Sequence, residues 1–158
     1  MTLLENVRLP LEEFTDLPGE AMDAIAAAKL KLVQLEGFEH FLPAEISGGM
    51  KKRAAIARAM ALDPPILFLD EPSAGLDPIT SAELDQTILT LAGALGTTFV
   101  IVTHELASIY AIADRVVMLD GRSHGIAAIG APEALRDHAK DAWVRRFFRR
   151  EVEPMGDN

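Results

Sequence analysis

The hydrophobic and polar positions divide the chain into a helical first part and a second part in which strands alternate with helices. Apolar residues recur at helical spacing over 20–36, which predicts one helix. Ser47 is typical of a helix N-cap and precedes a second predicted helix over 51–62. Two prolines break the pattern of residues 1–19, so we expect that segment to be irregular.

The second part contains short, continuous apolar runs at 66–69 and 97–103, and each is typical of a parallel strand buried on both faces. A third strand is predicted at 115–119 and an edge strand at 125–129. This alternation of strands and helices predicts an α/β fold with a mainly parallel sheet. Helices are expected between and after the strands, at 78–95, 106–113, 132–138 and 142–149.

Composition and charge exclude several classes of protein. The chain has no cysteine, which removes disulfides and thiolate metal sites. Its net charge of -9 argues against nucleic acid as a partner, because neutralising phosphates requires clustered Lys and Arg. The arginines within 145–150 are interpreted as a solvated helix end. No stretch approaches the ~18 to 20 consecutive apolar residues of a membrane span.

The first candidate site is the loop that precedes the second predicted helix. Ser47 is followed by Gly48, Gly49 and Met50 and then by the basic residues 51–53. Two glycines allow the backbone to approach a ligand closely, and a helix start presents unpaired N–H groups and a positive dipole end. These features predict an anion site. The alternative interpretation is an ordinary capped helix.

Two carboxylates follow the apolar run at 66–69, where α/β sheets place their ligands. Adjacent side chains on an extended chain point in opposite directions, so Asp70 and Glu71 are expected to have different tasks. Asp70 suits holding Mg²⁺ through water, and Glu71 suits orienting or deprotonating an attacking water molecule. The alternative is a strand that simply ends in a polar loop.

Two further candidates come from the segments after this strand. Asp77 lies in the loop 73–78, ahead of a helix that begins with proline. His104 follows the second buried strand and is expected at the same sheet edge as the two carboxylates. The other histidines are interpreted as surface residues: His40, His124 and His138.

The order of these motifs resembles that of the ATP-binding cassette (ABC) family. Residues 46–50 match its signature loop, 66–71 its Walker B motif, 73–78 its D-loop and His104 its switch histidine. The resemblance implies the C-terminal part of a P-loop NTPase core. Its two expected parts are a helical signature subdomain at 1–62 and a core part with terminal helices at 63–158.

The resemblance also implies a cytoplasmic ATPase that uses ATP and Mg²⁺ and lies against the inner or plasma membrane. Its partners would be a second ATPase subunit, arranged head to tail, and membrane permease subunits. Glu71 and His104 would be catalytic, with His104 contacting the γ-phosphate in its own subunit. Asp77 would couple the two sites across the interface. The γ-phosphate held by the partner would be bound by the signature residues Ser47, Gly48, Gly49 and Met50.

A finer resemblance is to the ATPases of Mla and Mce-type lipid transport systems. It is carried by residues 1–7 with 10–11, by the run 47–53, by 63–65 and by 112–115. Met50 stands where the common ABC signature has glutamine, which favours this subfamily. The resemblance implies that the intact subunit drives movement of a lipid-like cargo.

The sequence departs from the family at the phosphate-binding loop, which requires a glycine-rich turn ending in Gly-Lys-[Ser/Thr]. None of its five lysines follows a glycine. We therefore expect a C-terminal fragment that is inactive alone and begins just after the family's Q-loop. Two alternatives stay open: a non-catalytic fragment that pairs with a full ATPase subunit, and a soluble ABC ATPase without a transport role.

Overall fold

The computed structural model describes residues 1–121 and 123–152. These residues form two compact units, which divide between Thr103 and His104. The first unit contains α1 (Leu3–Phe14), α2 (Gly19–Leu32), a 3-10 turn (Pro43–Glu45), α3 (Gly48–Ala59), β1 (Ile66–Asp70), α4 (Pro78–Leu95) and β2 (Thr98–Val102). The second contains α5 (Leu106–Ile112), β3 (Val116–Asp120), β4 (Gly125–Gly130), α6 (Pro132–His138) and α7 (Ala142–Arg149). The α/β class is confirmed. The functional boundary expected after residue 62 stays a prediction.

Helix α1 lies in the segment that was expected to be irregular, so that prediction was wrong. The helix starts with a capping box, in which the Thr2 side chain accepts from the Glu5 amide and Glu5 accepts from the Thr2 amide. Pro10 lies inside the helix and removes one of its hydrogen bonds. Packing of α1 against α2 and α3 outweighs that loss, because one face of α1 is buried at i, i+4 spacing: Leu3, Val7 and Leu11.

Strands β1 and β2 pair in parallel, with Asp70 opposite Val102 at their carboxyl ends. The expectation that both faces are buried was wrong. Leu67 is 6% exposed, whereas Phe68 is 74% exposed. An apolar run shows which side chains a strand is able to bury, and the covering elements decide whether it does so. In the described residues, one face of this pair is open.

The second unit is built on an antiparallel hairpin. Strand β3 was expected in a mainly parallel sheet, but it pairs antiparallel with β4. Within residues 1–121 and 123–152, parallel pairing joins β1 and β2. The short connection between β3 and β4 explains this, because parallel strands need a long crossover. Helices α5, α6 and α7 complete a core that contains Ile109, Met118, Leu135, Val144 and Phe148.

The basic run at the end of α7 is partly structural. The Arg145 guanidinium donates to the carbonyl oxygens of Ala139 and Lys140, just beyond α6. Arg149 donates to the carbonyl of Arg136 at 3.1 Å. These bonds satisfy carbonyl groups at the end of α6, which its own helix leaves unpaired. Among the helices in the described ranges, none combines the length and apolar character that crossing a bilayer requires.

Candidate functional site

The glycine loop after Ser47 forms the start of α3, which begins three residues earlier than predicted. The Ser47 Oγ accepts from the Met50 amide at 3.2 Å, and the Lys51 amide donates to the Ser47 carbonyl at 3.0 Å. The first amides of a helix, here those of Gly48 and Gly49, have no acceptor within the helix. Ser47 and Gly48 are exposed. The predicted cap is therefore present, and its amides form a site that suits an anion.

The two glycines of this loop differ in their surroundings. A Cβ on Gly49 would come closer than 3.0 Å to the Cγ2 methyl of Thr80 on α4, and Gly49 is buried. A Cβ on Gly48 would lie 3.5 Å from Leu76, which is an ordinary contact. The packing of α3 on α4 thus requires glycine at position 49. At position 48 the fold has room for a side chain, so its absence there leaves the helix start open to a ligand.

Asp77 is the N-cap of α4. Its Oδ1 accepts from the amides of Ile79 and Thr80 at 3.0 and 3.1 Å, and its Oδ2 accepts from the Thr80 hydroxyl at 2.5 Å. The Thr80 hydroxyl bond is the largest cause of a lowered pKa for Asp77. Thr80 therefore bonds the D-loop with its hydroxyl and touches Gly49 with its methyl. Sequence reasoning missed Thr80, and the coupling role of Asp77 across an interface stays a prediction.

The two carboxylates occupy different environments at the end of β1. Asp70 is exposed and ends the strand. Glu71 is half-buried, has a φ of 44° and donates its amide to the Val102 carbonyl at 2.8 Å. The argument from alternating side chains fails for this pair, because Glu71 has left the extended conformation. The expectation that they have separate tasks stays a prediction, and it rests instead on this difference in burial.

The basic residues after the glycine loop contact the protein itself. Lys52 Nζ donates to the Glu71 carbonyl oxygen at 3.3 Å. Arg53 Nη1 donates to the Val33 carbonyl at 3.3 Å and to the Gln34 side chain at 3.4 Å. Two of the three cations thus fasten α3 to its neighbours, and the anion site depends on the amides of the helix start. Nothing in the local pattern distinguishes such cations from solvated ones.

The donor groups at the end of β1 fit Mg²⁺ that arrives with a nucleotide. In residues 1–121 and 123–152, no group of three or more His, Asp or Glu side chains could hold a metal ion. Mg²⁺ keeps several water ligands and is commonly bound by one or two carboxylates together with substrate phosphates. The exposed carboxylate of Asp70 can supply the single protein ligand that this arrangement needs.

His104 is exposed and belongs to the second unit, whereas the other predicted site residues lie in the first. Its expected contact with a γ-phosphate stays a prediction. The histidines that were assigned to the surface are exposed, as expected: His40, His124 and His138.

Comparison with known proteins agrees with the motifs and the fold. The family described as ABC transporter matches residues 1–74. A dimeric structure of a post-hydrolysis state of the ATP-binding cassette MJ0796, bound to ADP and Pi, is similar with a TM-score of 0.69 and 34% identity. That similarity covers 83% of this chain and 56% of the other. The chain is thus similar, over most of its length, to ATP-binding proteins of ABC transporters.

Two curated relatives are similar to nearly the whole of this chain. The intermembrane phospholipid transport system ATP-binding protein MlaF of Escherichia coli strain K12 is 41% identical over 94% of this chain and 54% of its own length. The probable ribonucleotide transport ATP-binding protein mkl of Mycobacterium leprae is 40% identical over 99% of this chain and 44% of its own length. The chain thus spans about half the length of the curated relatives it matches.

Proposed function

We propose that this chain provides the signature loop and the catalytic carboxylates of an ATP-hydrolysing subunit of an ABC transporter. The observation that carries the proposal is the helix start with exposed Ser47 and Gly48, where the next residue, Gly49, packs against Thr80, which is bonded to Asp77. The same helix contacts the backbone of Glu71 through Lys52. One helix therefore connects the anion site with the two other motifs that the reaction requires.

In the proposed reaction, the amides of Gly48 and Gly49 donate to the γ-phosphate of ATP held by a second, head-to-tail subunit. The Ser47 Oγ accepts from Met50, so its hydroxyl hydrogen can be donated to the same phosphate. Met50 places its own amide in this cap. These donors stabilise negative charge on the phosphoryl oxygens.

Glu71 acts on the attacking water of the ATP held by its own subunit. Its carboxylate orients the water and takes one proton as the water oxygen bonds to the γ-phosphorus and the bond to the ADP oxygen breaks. Asp70 would hold Mg²⁺ through water, and the ion neutralises phosphate charge when it is bound. His104 would donate to a γ-phosphate oxygen, and Asp77 would couple the two sites.

The expected partners are a second ATPase subunit and membrane permease subunits, with the chain in the cytoplasm at the face of the inner or plasma membrane. The two relatives are named for different cargoes, phospholipid and ribonucleotide. We favour a lipid cargo, since residues 1–7 and 47–53 resemble lipid-transport ATPases. Transport of labelled phospholipid, but not of a labelled ribonucleotide, by a reconstituted transporter would support this choice.

A fusion protein tests the enzymatic proposal. The part of Escherichia coli MlaF that precedes its match to this chain is joined ahead of Met1, and steady-state ATP hydrolysis is measured. Glu71→Gln keeps the shape of the side chain but removes its carboxylate. Hydrolysis should fall about a hundredfold or more while ATP still binds. Glu83→Gln, an exposed change on α4, is the matched control and should retain full activity. Activity of Glu71→Gln within about threefold of wild type would reject Glu71 as the base.

A second candidate function is non-catalytic pairing with a complete ATPase subunit. It applies if the chain acts without a Gly-Lys-[Ser/Thr] segment, which residues 1–158 do not contain. The chain would then supply a signature loop to the nucleotide of its partner. Mixing it with a purified complete ATPase separates the two ideas. Stable co-elution with no activity in the fusion would favour pairing, and an active fusion without co-elution would favour the enzyme.

A further inference from the structure

The backbone of Glu71 has a conformation that its residue type disfavours. Its φ of 44° lies in the left-handed region, where a side chain crowds the following carbonyl oxygen. Such a residue keeps this conformation only when its surroundings impose it, and these conformations are frequent at functional sites. The contacts around Glu71 should therefore show what imposes it.

Three hydrogen bonds hold the peptide groups of Glu71. Its amide donates to the Val102 carbonyl at 2.8 Å, which extends the pairing of β1 with β2 by one residue. Its carbonyl accepts from the Ala74 amide at 3.2 Å, which closes the turn after the strand. The third bond, from Lys52 Nζ at 3.3 Å, comes from α3 and so belongs to neither the sheet nor the turn.

Lys52 is suited to holding this carbonyl. Its side chain is half-buried and carries a positive charge, and hydrogen bonds from charged donors are stronger than those between neutral groups. The neighbouring cations of α3 differ from it, because Arg53 contacts the end of α2 and Lys51 is exposed. Of these three residues, Lys52 is the one whose side chain donates to the turn that carries Glu71.

We propose that Lys52 is a positioning residue for Glu71. It holds the left-handed backbone of Glu71 and so fixes where the carboxylate meets the attacking water. Ser47 caps α3 and Gly48 is its first residue. Through Lys52, the helix that carries the signature loop therefore also contributes to the hydrolysis site of its own subunit. The signature loop itself serves the nucleotide of the partner. This role in catalysis rests on the proposed function, whereas the hold on the backbone does not.

Hydrogen exchange tests the hold on the backbone in the 158-residue chain. Lys52→Met keeps the length of the side chain but removes its charge and its donors. The amides of Glu71 and Ala74 should then exchange about tenfold faster or more. Lys52→Arg should restore slow exchange, because a guanidinium can donate to the same carbonyl. Lys51→Met is the matched control and should leave both amides at the wild-type rate. Wild-type exchange of both amides in Lys52→Met would overturn the proposal.

Kinetics of the MlaF fusion test the role in catalysis. Lys52→Met should lower kcat about tenfold or more and leave KM for ATP within about twofold, because it displaces the base without touching the nucleotide. Lys52→Arg should recover most of kcat, and Arg58→Met, which removes an exposed charge at the other end of α3, should match wild type. An unchanged kcat in an active Lys52→Met fusion would overturn the positioning role. If the wild-type fusion is inactive, the proposed function fails and the exchange result still decides the hold on Glu71.

Discussion

A methyl group at position 49 has no room in this fold. The Cβ of Gly49→Ala would approach the Thr80 Cγ2 more closely than 3.0 Å, so α3 or Thr80 must move. Thr80 is held in place, because its hydroxyl donates to the Asp77 Oδ2 at 2.5 Å. Overpacking of this kind costs roughly 1–3 kcal/mol, and the better helix propensity of alanine offsets up to about 1 kcal/mol. The net loss of stability should be about 1–2 kcal/mol.

Three further variants show whether the contact with Thr80 is the cause. Gly48→Ala gains the same helix propensity but meets only an ordinary contact at 3.5 Å, so its stability should equal or exceed that of wild type. Thr80→Ser removes the Cγ2 methyl and keeps the hydroxyl for Asp77. With serine at position 80, the nearest atom of that residue to the new Cβ at position 49 is its own Cβ, at 3.9 Å. The double variant should therefore recover the overpacking cost, roughly 1–3 kcal/mol, as an interaction energy in the cycle.

Urea unfolding followed by circular dichroism, at several protein concentrations, measures the stability of wild type and of the four variants. The reasoning fails if Gly49→Ala is as stable as Gly48→Ala. It also fails if Thr80→Ser does not restore Gly49→Ala, since the clash would then involve some other atom.

Three further predictions concern the cap of α4, nucleotide binding and self-association. The pKa of Asp77 is lower in the folded than in the unfolded protein. The stabilisation that Asp77 provides is therefore present above the unfolded pKa near 3.8 and is lost as pH falls through the folded pKa. Asp77→Ala should thus lower the unfolding midpoint at pH 7 and flatten its acid dependence, and an unchanged midpoint would contradict the cap. The 158-residue chain should bind MgATP at best in the millimolar range, which corresponds to about 4 kcal/mol; a low micromolar dissociation constant by calorimetry would refute this. The open face of β1 and β2 exposes Ile66, Phe68 and Val102, so the chain should self-associate and Phe68→Glu should weaken this. A light-scattering mass of one chain at all concentrations would oppose that prediction.

The sequence predicted those features that depend on residues a few positions apart. The Ser47 cap needs only the amide of Met50, and the limits of α4, α6 and α7 follow from nearby proline, glycine and capping residues. The placement of Asp70 and Glu71 at the end of a strand also follows from one short apolar run. The exception was α1, where Pro10 suggested a break that packing against two other helices overrides.

Tertiary structure alone decided how these local features act together. Whether β1 and β2 are covered on one face or two depends on which elements pack against them. A run of apolar residues does not indicate those elements. Gly49 is required by Thr80 on another helix, and Lys52 reaches the carbonyl of Glu71 across 19 residues of sequence. The sequence does not distinguish a glycine or lysine that contacts solvent from one that contacts protein. Their contacts depend on packing, which brings α3 against α4 and against the turn after β1, because contact energies fall off within a few ångströms.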